Sequence, residues 1–161
     1  MLKKILVVGI LGVTFTCCTT VGASAELSLN QSGYMLSKRP QKSKVVLKNS
    51  AWELQRWEYQ GSRVILVPKT QLSVKFQDTQ VEGSSGCNSF NGSYRLVNNK
   101  LSIGTLSSTR MACETDVMNQ EFRFLSALKS VRRLRVEGSS RLLLFYRLDG
   151  VEGVLDFVSQ Q

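Results

Sequence analysis

From residue 51 onward, apolar and polar side chains alternate along much of the chain. Trp52 and Leu54 alternate with charged neighbours, and Leu72, Val74 and Phe76 alternate with Ser73, Lys75 and Gln77. Successive side chains of an extended strand point to opposite faces, so this period of two predicts strands with one buried face. Val81 continues the pattern toward a turn at Gly83-Ser84-Ser85-Gly86. Tyr94 and Leu96, then Leu101 and Ile103, flank Asn98-Asn99, a pair that tolerates positive φ and so predicts a hairpin. Residues 131–136, 141–148 and 151–158 are separated by Gly138-Ser139-Ser140 and Asp149-Gly150, which predicts a three-stranded meander.

One segment changes period. Over residues 115–128, Val117, Met118, Glu121, Phe122, Leu125 and Leu128 fall at helical spacing, with Thr115 or Asp116 as N-cap. An amphipathic helix needs a surface to cover. Six to eight strands and one helix therefore predict a mainly β protein, its sheet curled into a barrel with the helix against an opening or face. Trp52 and Trp57 differ in phase, so an inward Trp52 places Trp57 outward, as a binding anchor, or past a bulge.

The first residues read differently. Lys3 and Lys4 precede an uncharged run over residues 5–21, and Ala23-Ser24-Ala25 stands before Glu26. A basic start, an apolar run and a small-x-small site make a secretory signal over residues 1–25, cut after Ala25. A membrane anchor is the weaker reading, because Thr14, Thr16, Thr19 and Thr20 interrupt a run already marginal for a bilayer. A lipoprotein signal also fits poorly, since neither Cys17 nor Cys18 follows the required small residue and upstream Leu. Residues 26–50 are polar and basic with little periodicity and read as a flexible lead-in. The expected address is the periplasm or the medium.

Charge and cysteines follow from that address. Losing Lys3 and Lys4 and no acid lowers the formal +9 by two, to +7, which favours anionic partners such as lipid head groups, lipopolysaccharide or acidic proteins. Nucleic acid is not expected for an exported chain. Removal of the signal leaves Cys87 and Cys113, and an oxidising compartment predicts that they form one disulfide rather than two buried thiols. Closing that loop stabilises the fold by about 3.5 kcal/mol on the chain-entropy account. The chain has no histidine, so neither a Ser/His/Asp triad nor a Cys/His dyad can form, and no metal-ligand spacing is present.

The densest cluster of turn-forming residues spans 83–94, and a second element spans 108–113. Glycines permit tight backbone approach there, and Asn88 can cap neighbouring amides. A structural knot joining the two loops is the preferred reading. Gly86-Cys87-Asn88 with Gly92 and Tyr94, the run Thr109-Arg110-Met111-Ala112-Cys113, and Glu121 with Phe124-Leu125 and Leu128 resemble the META domain of heat-shock protein HslJ and its relatives. Trp52-x-Leu54 and Leu155-x-Phe157 match the family's edges, so the resemblance covers residues 51–158.

That resemblance implies a small antiparallel β-barrel-like domain with a packed amphipathic helix, found in bacterial envelope or secreted proteins and some parasite proteins. It also implies structural likeness to secretin pilotins, which bind lipid or a peptide segment. It supplies no catalytic residue, metal or cofactor. Many bacterial members are lipoproteins, and the poor lipobox here departs from them. Arg110, inside the motif, is expected to bond carbonyls of the Cys87 loop. Arg132, Arg133 and Arg135 form the strongest charge cluster, with Arg141 and Arg147 beyond; they read as solvent-facing arginines or as an anion patch.

The expected function is therefore a non-catalytic, exported, monomeric binding or accessory module in envelope stress tolerance or secretion. Its partner would be an envelope or secreted protein, or a lipid, and the cleaved chain would not be integral to a membrane. One alternative is a carrier holding a hydrophobic ligand against Leu142, Leu144 and Tyr146 inside a lipocalin-like barrel. A more remote one is an enzyme inhibitor presenting the loop over residues 84–91.

Overall fold

In a computed structural model of the chain, the described residues are 47–160. The expected signal peptide, and the lead-in up to residue 46, lie outside them. Among the described residues the backbone forms nine strands and one helix: β1 (Ser50–Tyr59), β2 (Ser62–Arg63), β3 (Ser73–Gln77), β4 (Gln80–Ser84), β5 (Ser89–Val97), β6 (Lys100–Ser108), α1 (Thr115–Lys129), β7 (Val131–Glu137), β8 (Arg141–Leu148) and β9 (Val151–Gln160). All pairings are antiparallel, in the order β2-β1-β3-β4-β5-β6-β7-β8-β9, and β1 also pairs with β9. That last pairing closes the sheet. Eight strands form the barrel, and the two-residue β2 is an appendage on β1.

Closure removes the unpaired strand edges that invite aggregation. The seam is uneven, because β6 meets β7 only at Lys100 and Arg133, with the Leu134 N–H donating to Asn99 O at 2.9 Å. Helix α1, the connection between these two strands, packs against β6 and β8. The expected meander β7-β8-β9 is present, and its last turn holds Asp149 at φ 50° and Gly150 at φ 81°. Asn98, at φ 60°, turns the β5–β6 hairpin. Asp78 (φ 47°) adds a turn between β3 and β4 inside a stretch that the alternation carries through as one run.

The structure chooses between the two readings of Trp57 and corrects the face of the helix. The pairing of β1 with β9 shifts register between Leu54 and Arg56, and this bulge resets the strand's phase. Trp57 therefore points inward and is only 2 % exposed, so it is not a surface anchor. The helix is rotated relative to the expected stripe: Gln120, Glu121, Phe124, Ala127 and Leu128 are buried, while Phe122 is 72 % exposed. Its N-cap is Glu114, with no side-chain capping bond, rather than Thr115 or Asp116.

Phe124 fills the barrel interior. Its ring makes edge contacts with Trp57 and Phe90, both at 6.2 Å between centroids, and a tilted contact with Phe157 at 6.5 Å. Leu142, Leu144 and Tyr146 belong to the same contiguous buried cluster, so they are members of a filled core rather than the walls of a ligand chamber. Gly153, opposite Tyr146 on β9, is required there: a Cβ would lie 2.2 Å from the tyrosine ring. Leu47, before β1, is already buried, so the ordered core begins upstream of Ala51.

Candidate functional site: a cross-linked loop knot and an arginine face

The turn-rich element between β4 and β5 and the loop between β6 and α1 meet at Asn88. This side chain is 2 % exposed and uses every polar atom. Its Oδ1 accepts from Thr109 Oγ1 and from the Met111 N–H, both at 2.7 Å. Its Nδ2 donates to Glu121 Oε1 at 2.9 Å and to Met111 O at 3.3 Å. Asn88 thus caps the distant loop rather than its own neighbours.

Glu121 is the second centre. A carboxylate buried to 6 % exposure needs compensation, and it receives the Asn88 N–H at 2.9 Å and the Ser85 hydroxyl at 2.6 Å, both on Oε2. Gly86, at φ 105°, takes the left-handed turn that brings Ser85 and Asn88 to this one carboxylate. Cys87 and Cys113 are joined by a disulfide across the same two loops, with 6.1 Å between their Cα atoms. Among the described residues, no buried side-chain nitrogen or oxygen lacks a hydrogen-bond partner.

The rest of the motif is distributed by the strands. Gly92 lies where β5 passes close to Leu106 and the Thr105 carbonyl, and Tyr94 packs edge-on against Phe76 at 5.0 Å. Burial raises the Tyr94 phenol pKa. The motif's second run is largely at the surface: Arg110, Met111 and Ala112 are exposed, Met111 to 58 %. Arg110 has no hydrogen-bond or ion-pair partner among the described residues and so does not fasten the Cys87 loop. The Asn88 amide makes that link.

On the helix's other flank, Gln120 accepts the Val67 N–H at 2.7 Å and donates to Thr70 Oγ1 at 2.8 Å, fixing the connection between β2 and β3. Trp57 Nε1–H donates to Tyr146 Oη at 2.7 Å, which in turn donates to Glu58 O at 3.2 Å. Burial, the largest influence, raises the Tyr146 phenol pKa above the ordinary value.

The arginine cluster lies on the barrel's outer surface, where Arg132, Arg133 and Arg135 are all exposed. A register shift between Val131 and Arg133 interrupts β7, so Arg132 and Arg133 are not on alternate faces. Arg133 and Arg135 lie over the Phe145 ring at 4.2 and 5.8 Å. Arg135 also pairs with Glu137 at 2.9 Å. Arg141 grips the largely buried Asp156 in a bidentate pair at 2.9 and 2.6 Å, and those hydrogen bonds, with the charge of the carboxylate, push its already high pKa further up. Asp156 was not singled out in the sequence, although an acid inside the apolar run over residues 154–158 is a visible anomaly.

A closed barrel with one packed helix and a knot joining the two signature loops is the arrangement the motifs imply, and the link from Asn88 to the helix glutamate is added by the tertiary structure. The sequence matches the META domain family over residues 45–160. The chain belongs to that family. A protein from Burkholderia xenovorans, known from an NMR structure, is 27 % identical with a TM-score of 0.59, over 71 % of this chain and 84 % of that one. A DUF4847 family protein from Bacteroides vulgatus, known from a crystal structure, shares the fold at 14 % identity and a TM-score of 0.51, over 72 % of this chain and 97 % of the other. No curated protein matches the chain. In this META domain the disulfide is compatible with an oxidising, extracytoplasmic compartment. Among the described residues, no helix is long and apolar enough to cross a membrane.

Proposed function

We propose that this META-domain protein is a non-catalytic, exported binding or accessory module that supports envelope stress tolerance or secretion. The observation that carries the reading is the state of the motif's polar groups. Asn88, Ser85 and Glu121, the obvious candidates for chemistry, are buried and committed to one another. Such a network makes a rigid frame rather than a reactive centre. The exposed Cys113 bonded to Cys87 favours a compartment that keeps cysteines oxidised. The filled interior argues against a carrier role, and function falls to the outer surface.

The test is a deletion strain of the source organism challenged with heat and envelope-active agents. It is paired with mass measurement of the protein recovered from the envelope or medium and with crosslinking there. The expected results are impaired survival or secretion, a mass corresponding to cleavage after Ala25 with two hydrogens missing, and a reproducible envelope partner. Normal survival and secretion together with a cytoplasmic, uncleaved chain would sink the reading.

A further inference from the structure

Ion pairing divides the arginines of the outer face into two groups. Arg135 is held by Glu137, Arg141 by Asp156 and Glu137, and Arg56 by Glu58 and Asp156. Arg132, Arg133 and Arg147 have no carboxylate within ion-pair distance among the described residues. These three line one cleft of about 360 Å³ on the barrel wall, together with Phe145, Glu58 and Glu152.

Local structure gathers them. The bulge in β7 inserts one residue, Arg132, between the pairings of Val131 with Tyr146 and of Arg133 with Phe145, so Arg132 and Arg133 both reach the surface beside β8. Arg147 enters from β8 itself, its Nε–H donating to the Gly150 carbonyl at 3.1 Å, which orients the guanidinium without neutralising it. Arg133 lies over the Phe145 ring at 4.2 Å, and a guanidinium held on a ring face can still donate from its N–H edge. Of the two acids, Glu58 is engaged by Arg56, and Glu152 sits across the strand pair from Arg147. Three guanidiniums therefore face at most one uncommitted carboxylate.

We infer that this cleft, built by Arg132, Arg133 and Arg147 over Phe145, is a binding site for a phosphate group. All the cations lining it are arginines, whose planar forked N–H donors can meet two oxygens of a phosphate at once, where a lysine ammonium acts as a point charge. Arg135, which belongs to the sequence cluster, is outside the site, and Arg147 replaces it. A lipid head group and a small soluble molecule present the same phosphate to the cleft, and the recognition chemistry is the same. The inference gives the proposed binding module its ligand class and rests on that reading.

The full chain is titrated with glycerol phosphate, followed by NMR, and co-sedimented with phosphatidylcholine vesicles with and without phosphatidylglycerol. Both use purified protein, so the outcome is independent of host compartment or stress phenotype. Expected is binding that weakens with salt and falls about tenfold in Arg132→Gln and in Arg147→Gln, as loss of one charge-assisted bond predicts. The Arg132 side chain makes no hydrogen bond or ion pair among the described residues, so R132Q is expected to leave the fold intact, and Arg135→Gln should bind as the parent does. Binding to glycerol phosphate supports the site with phosphate alone sufficient. Binding only to vesicles containing phosphatidylglycerol supports it with a lipid source. Absence of binding in both arms, undiminished binding in R132Q and R147Q, or equal loss in R135Q would overturn it.

Discussion

Glu121 is the residue on which the loop knot turns. Replacing it by alanine leaves the buried Asn88 N–H without an acceptor, and takes one of two acceptors from the Asn88 side-chain amide and the Ser85 hydroxyl, which keep Met111 O and Asn88 O. Unpaired buried groups cost more than their bonds contributed, so Glu121→Ala should lower stability by about 3–5 kcal/mol in urea unfolding. Tyr146 offers a second test. Tyr146→Phe leaves the buried Trp57 N–H without its acceptor, which should cost about 1–3 kcal/mol at neutral pH. Because burial raises the Tyr146 pKa, the folded state holds the phenol proton more tightly than the unfolded one. That contribution is fully present below the unfolded value near 10 and is lost as pH rises through the folded value. Urea midpoints measured across the alkaline range should fall for the parent, and less steeply for Tyr146→Phe. Asn88 was legible as a capping residue because its type is good at little else in a turn. Its partners were not, since they lie more than 20 residues away.

At the level of elements, the helix and the first strand carry the informative discrepancies. Helical spacing marked residues 115–128, but Phe122 and Met118 satisfied it as well as Phe124 did, and period alone does not say which flank of a broad apolar stripe faces the core. The tertiary answer is measurable. Phe124→Ala should cost about 3–5 kcal/mol by removing the ring at the centre of the barrel, whereas Phe122→Ala should stay within about 0.5 kcal/mol. Thermal or urea unfolding of the two variants separates the two helix phases directly. In β1 a single bulged position moved Trp57 from the surface to the core. A bulge leaves no mark in composition, so the sequence could state the alternatives but not choose between them. Gly153 follows the same logic, because only the facing Tyr146 ring explains why a side chain cannot stand there. Gly153→Ala should destabilise the domain even though alanine suits a strand backbone no worse than glycine.

Over the whole molecule, stability is shared between closure of the sheet and the tie between its two signature loops. The disulfide spans 26 positions, and its removal as the Cys87→Ser/Cys113→Ser pair should cost about 2–5 kcal/mol. The hydrogen-bonded knot joins the same loops, so that cost should not add simply to the cost of Glu121→Ala. A double-mutant cycle should return a coupling of about 0.5–3 kcal/mol, and a coupling near zero would show the two ties to be independent. Both Asn88 and Cys87 hold the segment that precedes the helix, which makes the helix the element expected to loosen first when the ties are cut. Hydrogen exchange over residues 115–129 in the double variant would report it.

Local chemistry was enough to predict strands, the Asn98-Asn99 and Asp149-Gly150 turns, one helix, paired cysteines and a META-like domain, because each rests on neighbours in the chain or on a motif carried in order. Barrel closure by β1 on β9, the face the helix buries, the inward Trp57, and the division of the arginines into paired and unpaired groups are contacts between distant segments. They depend on register, and a shift of one residue in register reverses which side of a strand is buried. The arginine run that reads as one cluster along the chain is therefore divided by its partners in space, Arg135 held by Glu137 and Arg132 and Arg133 left unpaired among the described residues, and the unpaired members are the candidates for binding.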